Sequence, residues 1–125
     1  MDHQASFYSD PVFLSDVSPE ATSSLGLKKY FQKKSILNFL YQKGPLSNPE
    51  ICRLTNMSSP SIQKLLRELI SEGLVCEEGV GNSIGGRRPV LFGIDPGSRF
   101  VVGVKIGQNA TEAGIFNLKN ELIGQ

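Results

Sequence analysis

Two helix starts a few residues apart constrain this chain more than any other feature. In "SNPEICRLTNMSSPSIQKLLRELISEG", Asn48 with Pro49 and Glu50 opens one helix, and Ser59 with Pro60 opens the next. Proline suits a first helical turn because its missing N–H has no partner to lose there. The side chains of Asn48 and Ser59 can cap the free amides, and Glu50 suits the positive end of the helix dipole. Ile51 and Leu54 mark the inward side of the first helix, and Ile62, Leu65, Leu66, Leu69 and Ile70 a broad apolar face of the second, which Gly73 ends. The break around "NMSSP" is so short that the second helix must leave the first at a steep angle.

The flanks complete a pattern. From Leu27, "LKKYFQKKSILNFLYQKG" sets Tyr30, Ile36, Leu37, Leu40 and Tyr41 on one stripe and stops at Gly44. After Gly73, "LVCEEGV" and "PVLFGID" have strand length and are joined as a hairpin by a loop containing "GNSIGGRRPV". Helix, helix, turn, helix, hairpin is the order of a winged helix-turn-helix, assigned here to residues 27–96. Beyond Pro96-Gly97, "RFVVGVKIG", "TEAGIFNL" and "ELIGQ" read as three further strands, with "KNE" as the last turn. Three strands without a covering helix leave a bare face, so 97–125 reads as the opening of a second domain. The expected class is α+β. Residues 1–26, rich in Ser, Asp and Pro and without a steady period, read as a flexible acidic arm.

Composition excludes several functions. Cys52 and Cys76 stand far apart with no ligand spacing around them, and the sole histidine, His3, lies in the arm, so neither a zinc site nor a disulfide framework is expected. No catalytic residue, cofactor or metal is assigned. No apolar run is long enough to span a bilayer, and acids stand where a signal peptide carries bases, so the expected location is the cytoplasm. Charge is divided along the chain: residues 1–26 carry four acids and no Lys or Arg, and residues 27–90 carry ten Lys/Arg against five Glu. Such asymmetry points to an anionic partner for the middle segment, although a basic solvated surface fits the same count.

The helix over 60–72 can enter a major groove with its N-terminal end nearest the bases. Once its apolar face is committed, Ser59, Pro60, Ser61, Gln63, Lys64 and Arg67 are left outside. Ser61 and Gln63 can donate to and accept from base edges, and Lys64 and Arg67 can meet phosphate or guanine. Ser58 and Ser59, and Ser47 and Asn48 one helix earlier, mark helix starts whose amides could hold a phosphate. Lys64 and Arg67 as a plain solvated face is an equal reading on these residues alone, and Arg53 is either a backbone contact or inert. A strand follows the glycine loop where a nucleotide-binding loop needs a helix. As an arm, Gly86 permits close approach, Pro89 holds the exit extended, and Arg87 and Arg88 can enter a narrow A·T-rich minor groove.

The run from "ILNFLYQKGPLSNPE" through "GGRRPVLFGID" resembles the N-terminal region of ROK-family (repressor, open reading frame, kinase) regulators. Its most specific parts are "GPLS", the "SSPSI" helix start, "ELISEGLV" and "GGRRP". The resemblance implies a winged helix-turn-helix that binds double-stranded DNA, with base and phosphate contacts from Ser59, Ser61, Gln63, Lys64 and Arg67. It also implies a minor-groove contact like that of an AT-hook from Gly86, Arg87 and Arg88. The last segment is similar to the opening strands of the actin-like ROK domain, whose sugar- and zinc-binding motifs lie further downstream. The resemblance thus implies a repressor of sugar-utilisation genes, a homo-oligomer at full length, with a sugar or sugar-phosphate effector bound by the downstream domain. Kinase members carry Asp-x-Gly-x-Thr where this chain has Lys105-Ile106-Gly107-Gln108-Asn109. The lost carboxylate opposes the alternative of a sugar-kinase fragment. A winged helix that binds protein is the other alternative, and it leaves Arg87 and Arg88 unexplained.

Overall fold

The structure, a computed structural model, describes residues 23–82 and 85–125. Residues 1–22, most of the expected arm, lie outside the described residues. The first helix, α1, runs Ser24–Lys43, because the Ser23 side chain accepts from the Gly26 amide at 3.0 Å and caps it. Ser24–Gly26 are therefore helical, and the helix starts earlier than the expected Leu27.

After Gly44 and Pro45 come β1 (Leu46–Ser47), α2 (Asn48–Thr55), α3 (Ser59–Ser71), β2 (Val75–Val80) and β3 (Val90–Ile94). Both expected caps move back by one residue. Ser47, not Asn48, caps α2, because Ser47 and Glu50 form a reciprocal box. The Ser47 amide donates to the Glu50 carboxylate at 2.7 Å, and the Glu50 amide donates to Ser47 Oγ at 3.4 Å. Ser58, not Ser59, caps α3, and its side chain makes no capping bond. At the far end the Gly73 amide donates to Ile70 and the Leu74 amide to Leu69, both at 3.0 Å, so the last carbonyls of α3 are satisfied as the chain turns into β2.

The wing is a three-stranded antiparallel sheet in the order β1-β3-β2. Leu46 pairs with Phe92 and Ser47 with Leu91, which ties the start of α2 to the hairpin. Two residues carry no period, so β1 had no signature in the sequence. Ile36, Leu37 and Leu40 of α1, Ile51 of α2, and Ile62, Leu65, Leu66 and Leu69 of α3 meet Leu46, Leu74, Val75 and Ile94 in one core. Three residues expected inside lie at its rim: Tyr41 is 46% exposed, and Leu54 and Ile70 are 37% exposed. Leu54 lines an open groove with Lys43, Leu46, Glu50 and Arg53, where α2 is too short to cover it.

A second antiparallel sheet follows, with β4 (Phe100–Ile106), β5 (Thr111–Asn117) and β6 (Leu122–Gly124) in sequence order. Every residue of β4 is exposed, so this strand is bare on both sides of the sheet. The turn after β5 is organised by Asn117, whose Oδ1 accepts from the amides of Lys119 at 3.0 Å and Glu121 at 2.9 Å. Leu118, beside it, is only 4% exposed and inserts into the helical core. Lys119 reaches Glu78 of β2 at 2.9 Å.

Candidate nucleic-acid interface

The charged residues at α3 fall into acids that are paired and bases that are not. Glu68 and Glu72 turn towards α1, where Lys29 reaches Glu68 at 2.7 Å, Lys33 reaches Glu68 at 3.1 Å, and Lys33 also pairs with Glu72. Burial opposes the charge on Lys33, but the hydrogen bonds it donates to Glu72 and Glu68 outweigh it and raise its pKa above the ordinary lysine value. Burial likewise pushes Glu68 up, and the hydrogen bonds of Lys29 and Lys33 overcome it, leaving its carboxyl below the usual range. With the acids engaged there, the solvent-facing residues of α3 include Pro60, Gln63, Lys64 and Arg67, all exposed, with Ser59 and Ser61 at its N-terminal end and Glu68 one turn after Lys64. Lys64 and Arg67 form no ion pair among the described residues.

The serines and Asn48 have different surroundings. Ser58 Oγ and Ser61 Oγ lie 2.8 Å apart at the exposed start of α3. Ser47 is 1% exposed and its hydroxyl donates to Glu50 at 3.0 Å, so it is withdrawn from the surface on which it was expected to meet phosphate. The physical reason is the capping box, which uses both its amide and its hydroxyl. Asn48 is half-buried and bound across to α3, its Oδ1 accepting from Ser59 Oγ at 3.1 Å and its Nδ2 donating to the Ser59 carbonyl at 3.4 Å. Cys52 Sγ donates to the same Oδ1 at 3.1 Å. Sequence reasoning assigned Asn48 to a cap and missed this cross-helix bond. The one available signal was the spacing of Asn48 and Cys52, four residues apart on one helix face.

The wing loop leaves the hairpin where the Gly81 amide donates to the Pro89 carbonyl at 2.8 Å. Gly85 and Gly86 have φ of +61° and +81°, a conformation that residues with side chains rarely adopt, and a Cβ at either would meet open space. Arg87 and Arg88 follow, exposed and without an ion pair among the described residues. Residues 83–84 of this loop lie outside the described residues. Arg53 is exposed on α2, and its charge helps lower the Glu50 carboxyl. The larger cause there is the bond from the Ser47 amide, opposed by burial.

Lys105 is exposed and pairs across strands with Glu112 at 3.7 Å. Among the described residues no group of three His, Cys, Asp or Glu could hold a metal ion, and no helix is long and apolar enough to cross a membrane.

Comparison with known proteins agrees with this geometry. Residues 32–75 match the family of winged helix-turn-helix DNA-binding domains. The chain is 31% identical over 97 residues to a xylose repressor of Caldicellulosiruptor bescii, covering 78% of this chain and 24% of that protein. It is 24% identical over 112 residues to the DNA-binding transcriptional dual regulator NagC of Escherichia coli strain K12, covering 87% of this chain and 28% of NagC. Its fold matches the crystal structure of a ROK family transcriptional regulator, a homologue of the E. coli MLC protein. That match has a TM-score of 0.57 and 20% identity, covering 78% of this chain and 24% of the other. The chain spans about a quarter of the length of these relatives. These relatives are transcriptional regulators rather than enzymes. This chain carries a winged helix-turn-helix DNA-binding domain, is a homologue of the xylose repressors and NagC, and over 78% of its length shares the fold of about a quarter of a ROK family transcriptional regulator.

Proposed function

We propose that this chain is the DNA-reading part of a cytoplasmic, sugar-responsive transcriptional repressor and has no enzymatic activity of its own. The observation that carries the reading is the sorting of charge on α3. Its carboxylates are engaged by Lys29 and Lys33, while Lys64 and Arg67 stand exposed beside Ser61 and Gln63. An anionic duplex approaching Lys64 and Arg67 meets the α3 carboxylate Glu68 already paired with two lysines of α1, which reduces its repulsion.

In this reading Gln63 and Ser61 contact base edges, and Lys64 and Arg67 contact guanine or phosphate. Ser58 lies at the phosphate wall with its hydroxyl against Ser61. Gly86 lets the wing loop approach the sugar-phosphate backbone, and Arg87 and Arg88 enter an A·T-rich minor groove. Residues 27–96 form the reading unit, preceded by the arm of 1–26, and 97–125 begin the domain through which a sugar or sugar-phosphate effector and a second subunit act. A dimer sets two α3 helices in successive major grooves, and the effector alters their spacing.

The test is fluorescence-anisotropy binding to A·T-rich and G·C-rich duplexes across a salt series, with Arg87→Ala/Arg88→Ala in parallel. Binding should weaken steeply with salt, favour the A·T-rich duplex, and lose that preference in the double variant. A folded sample that binds neither duplex at low salt, even when fused to a dimerising partner, would overturn the reading.

A further inference from the structure

Asn48 sits where a helix-turn-helix must be stiff. The two helices of that unit are joined by Asn56–Ser58 alone, with Asn56 in a left-handed conformation at φ 57° and no ion pair among the described residues bridging α2 to α3. What does bridge them in polar terms is one amide. Asn48 Oδ1 accepts from Ser59 Oγ and from Cys52 Sγ, both at 3.1 Å, while Asn48 Nδ2 donates to the Ser59 carbonyl at 3.4 Å. The weaker bond from the Cys52 thiol restrains the same oxygen from within α2. Ser59 is the first residue of α3, the end that enters the groove first.

Two features set Asn48 apart from a residue that contacts DNA directly. Its cap role is filled by Ser47, which leaves the amide available for another partner. Both lone pairs of Oδ1 and one of the two Nδ2 hydrogens are then occupied, so a donor on a base edge would have to displace an internal bond.

We infer that Asn48 is a positioning residue: it holds the N-terminal turn of α3 at the angle that lets Ser61 and Gln63 reach base edges, and it acts through Ser59 rather than on DNA. This rests on the proposed function, since it concerns how that interface is aimed. A residue that aims the helix raises the affinity for the matching sequence and adds little to sequence-independent binding, which phosphate charge supplies. Contacting residues that share one network couple, whereas independent contacts add.

The experiment takes the full chain through selection from a random duplex library, and measures the selected duplex and a scrambled one. The proteins are wild type, Asn48→Ala, Ser59→Ala and the double variant, and thermal unfolding is recorded for each. Asn48→Ala should weaken binding to the selected duplex about 10-fold, change the scrambled duplex less than about 2-fold, and leave the salt slope unchanged. The double variant should bind no more weakly than the weaker single variant. Cys52→Ser, which keeps a donor to Oδ1, should retain wild-type selectivity.

Additive losses, or a salt slope lowered by about one in Asn48→Ala, would mean that Asn48 touches the duplex itself and would overturn the inference. So would an equal loss on both duplexes accompanied by a fall in unfolding temperature, the mark of a merely structural role. Selection that enriches no sequence at all would count against the proposed function, not only against the role of Asn48.

Discussion

The winged helix-turn-helix and the second sheet have similar proportions of apolar residues and bury them very differently. In the first, thirteen residues of α3 place four side chains, Ile62, Leu65, Leu66 and Leu69, in the core. In the second, seven residues of β4 include Phe100, Val101, Val102, Val104 and Ile106, and every one is exposed. A helical bundle closes a core with contacts near in sequence, whereas a meander of three strands must find a partner for each face. The difference shows that apolar residues stabilise only what they are packed against. Leu118 anchors the second sheet on the first unit, with the Lys119–Glu78 pair beside it.

The largest expected effect is in the helical core. Leu66→Ala should destabilise the protein by roughly 2–5 kcal/mol in urea unfolding, because the cavity is enclosed on all sides. Val102→Ala on β4 should stay within about 0.5 kcal/mol. Equal losses would mean that the contrast in burial has no energetic counterpart.

Leu118→Ala tests how far the two regions depend on each other. Its side chain belongs to the core although its residue belongs to the second sheet, so a loss of about 2 kcal/mol is expected in the same urea transition. A loss as small as that of Val102→Ala would make the regions independent.

The clamp between α1 and α3 should contribute less, about 1 kcal/mol for Glu68→Gln, since the pairs are only partly shielded. Its pH dependence has a definite sign. Glu68 is held below the usual carboxylate range, so its contribution is complete above that range and is lost as pH falls through the lowered value. Lys33 is raised, so its contribution persists below the ordinary lysine range and is lost only as pH rises through the raised value. Chemical unfolding between neutral and acid pH should therefore show the wild type losing its advantage over Glu68→Gln as the acid end is reached.

A small effect is expected at the junction. A Cβ at Gly93 would lie 2.6 Å from the Glu78 carboxyl carbon, so Gly93→Ala must move that side chain off Lys119. Stability should change by less than about 1 kcal/mol, with faster amide exchange at Lys119 and Glu121 and no change within α3. Faster exchange spread through α3 as well would show that the junction supports the reading helix.

The sequence made the helices and the hairpin legible because their signals are local. Pro49 and Pro60 mark first turns, Gly73 marks a stop, and the 3.6-residue period of Ile62, Leu65, Leu66 and Leu69 names the buried face of α3. By the same period it named Gln63, Lys64 and Arg67 as the outward face. Local signals failed where two candidates stood side by side. Ser47 and Asn48 are both good caps, and so are Ser58 and Ser59. The choice of Ser47 follows from Glu50 reaching back to it. That choice withdrew Ser47 from the surface and released Asn48 to bridge to α3.

The sequence by itself, then, determined the order of elements, the inward face of α3 and the basic character of its outer face, because each is set by spacing within a few residues. The tertiary structure alone decided which carboxylates those bases would meet. Lys29 and Lys33 lie more than thirty positions from Glu68 and Glu72, and only the packing of α1 on α3 brings them together. It also decided that Leu118 joins a core its own sheet does not form. Both depend on distances between segments remote in the chain, and no periodicity along the chain records such distances.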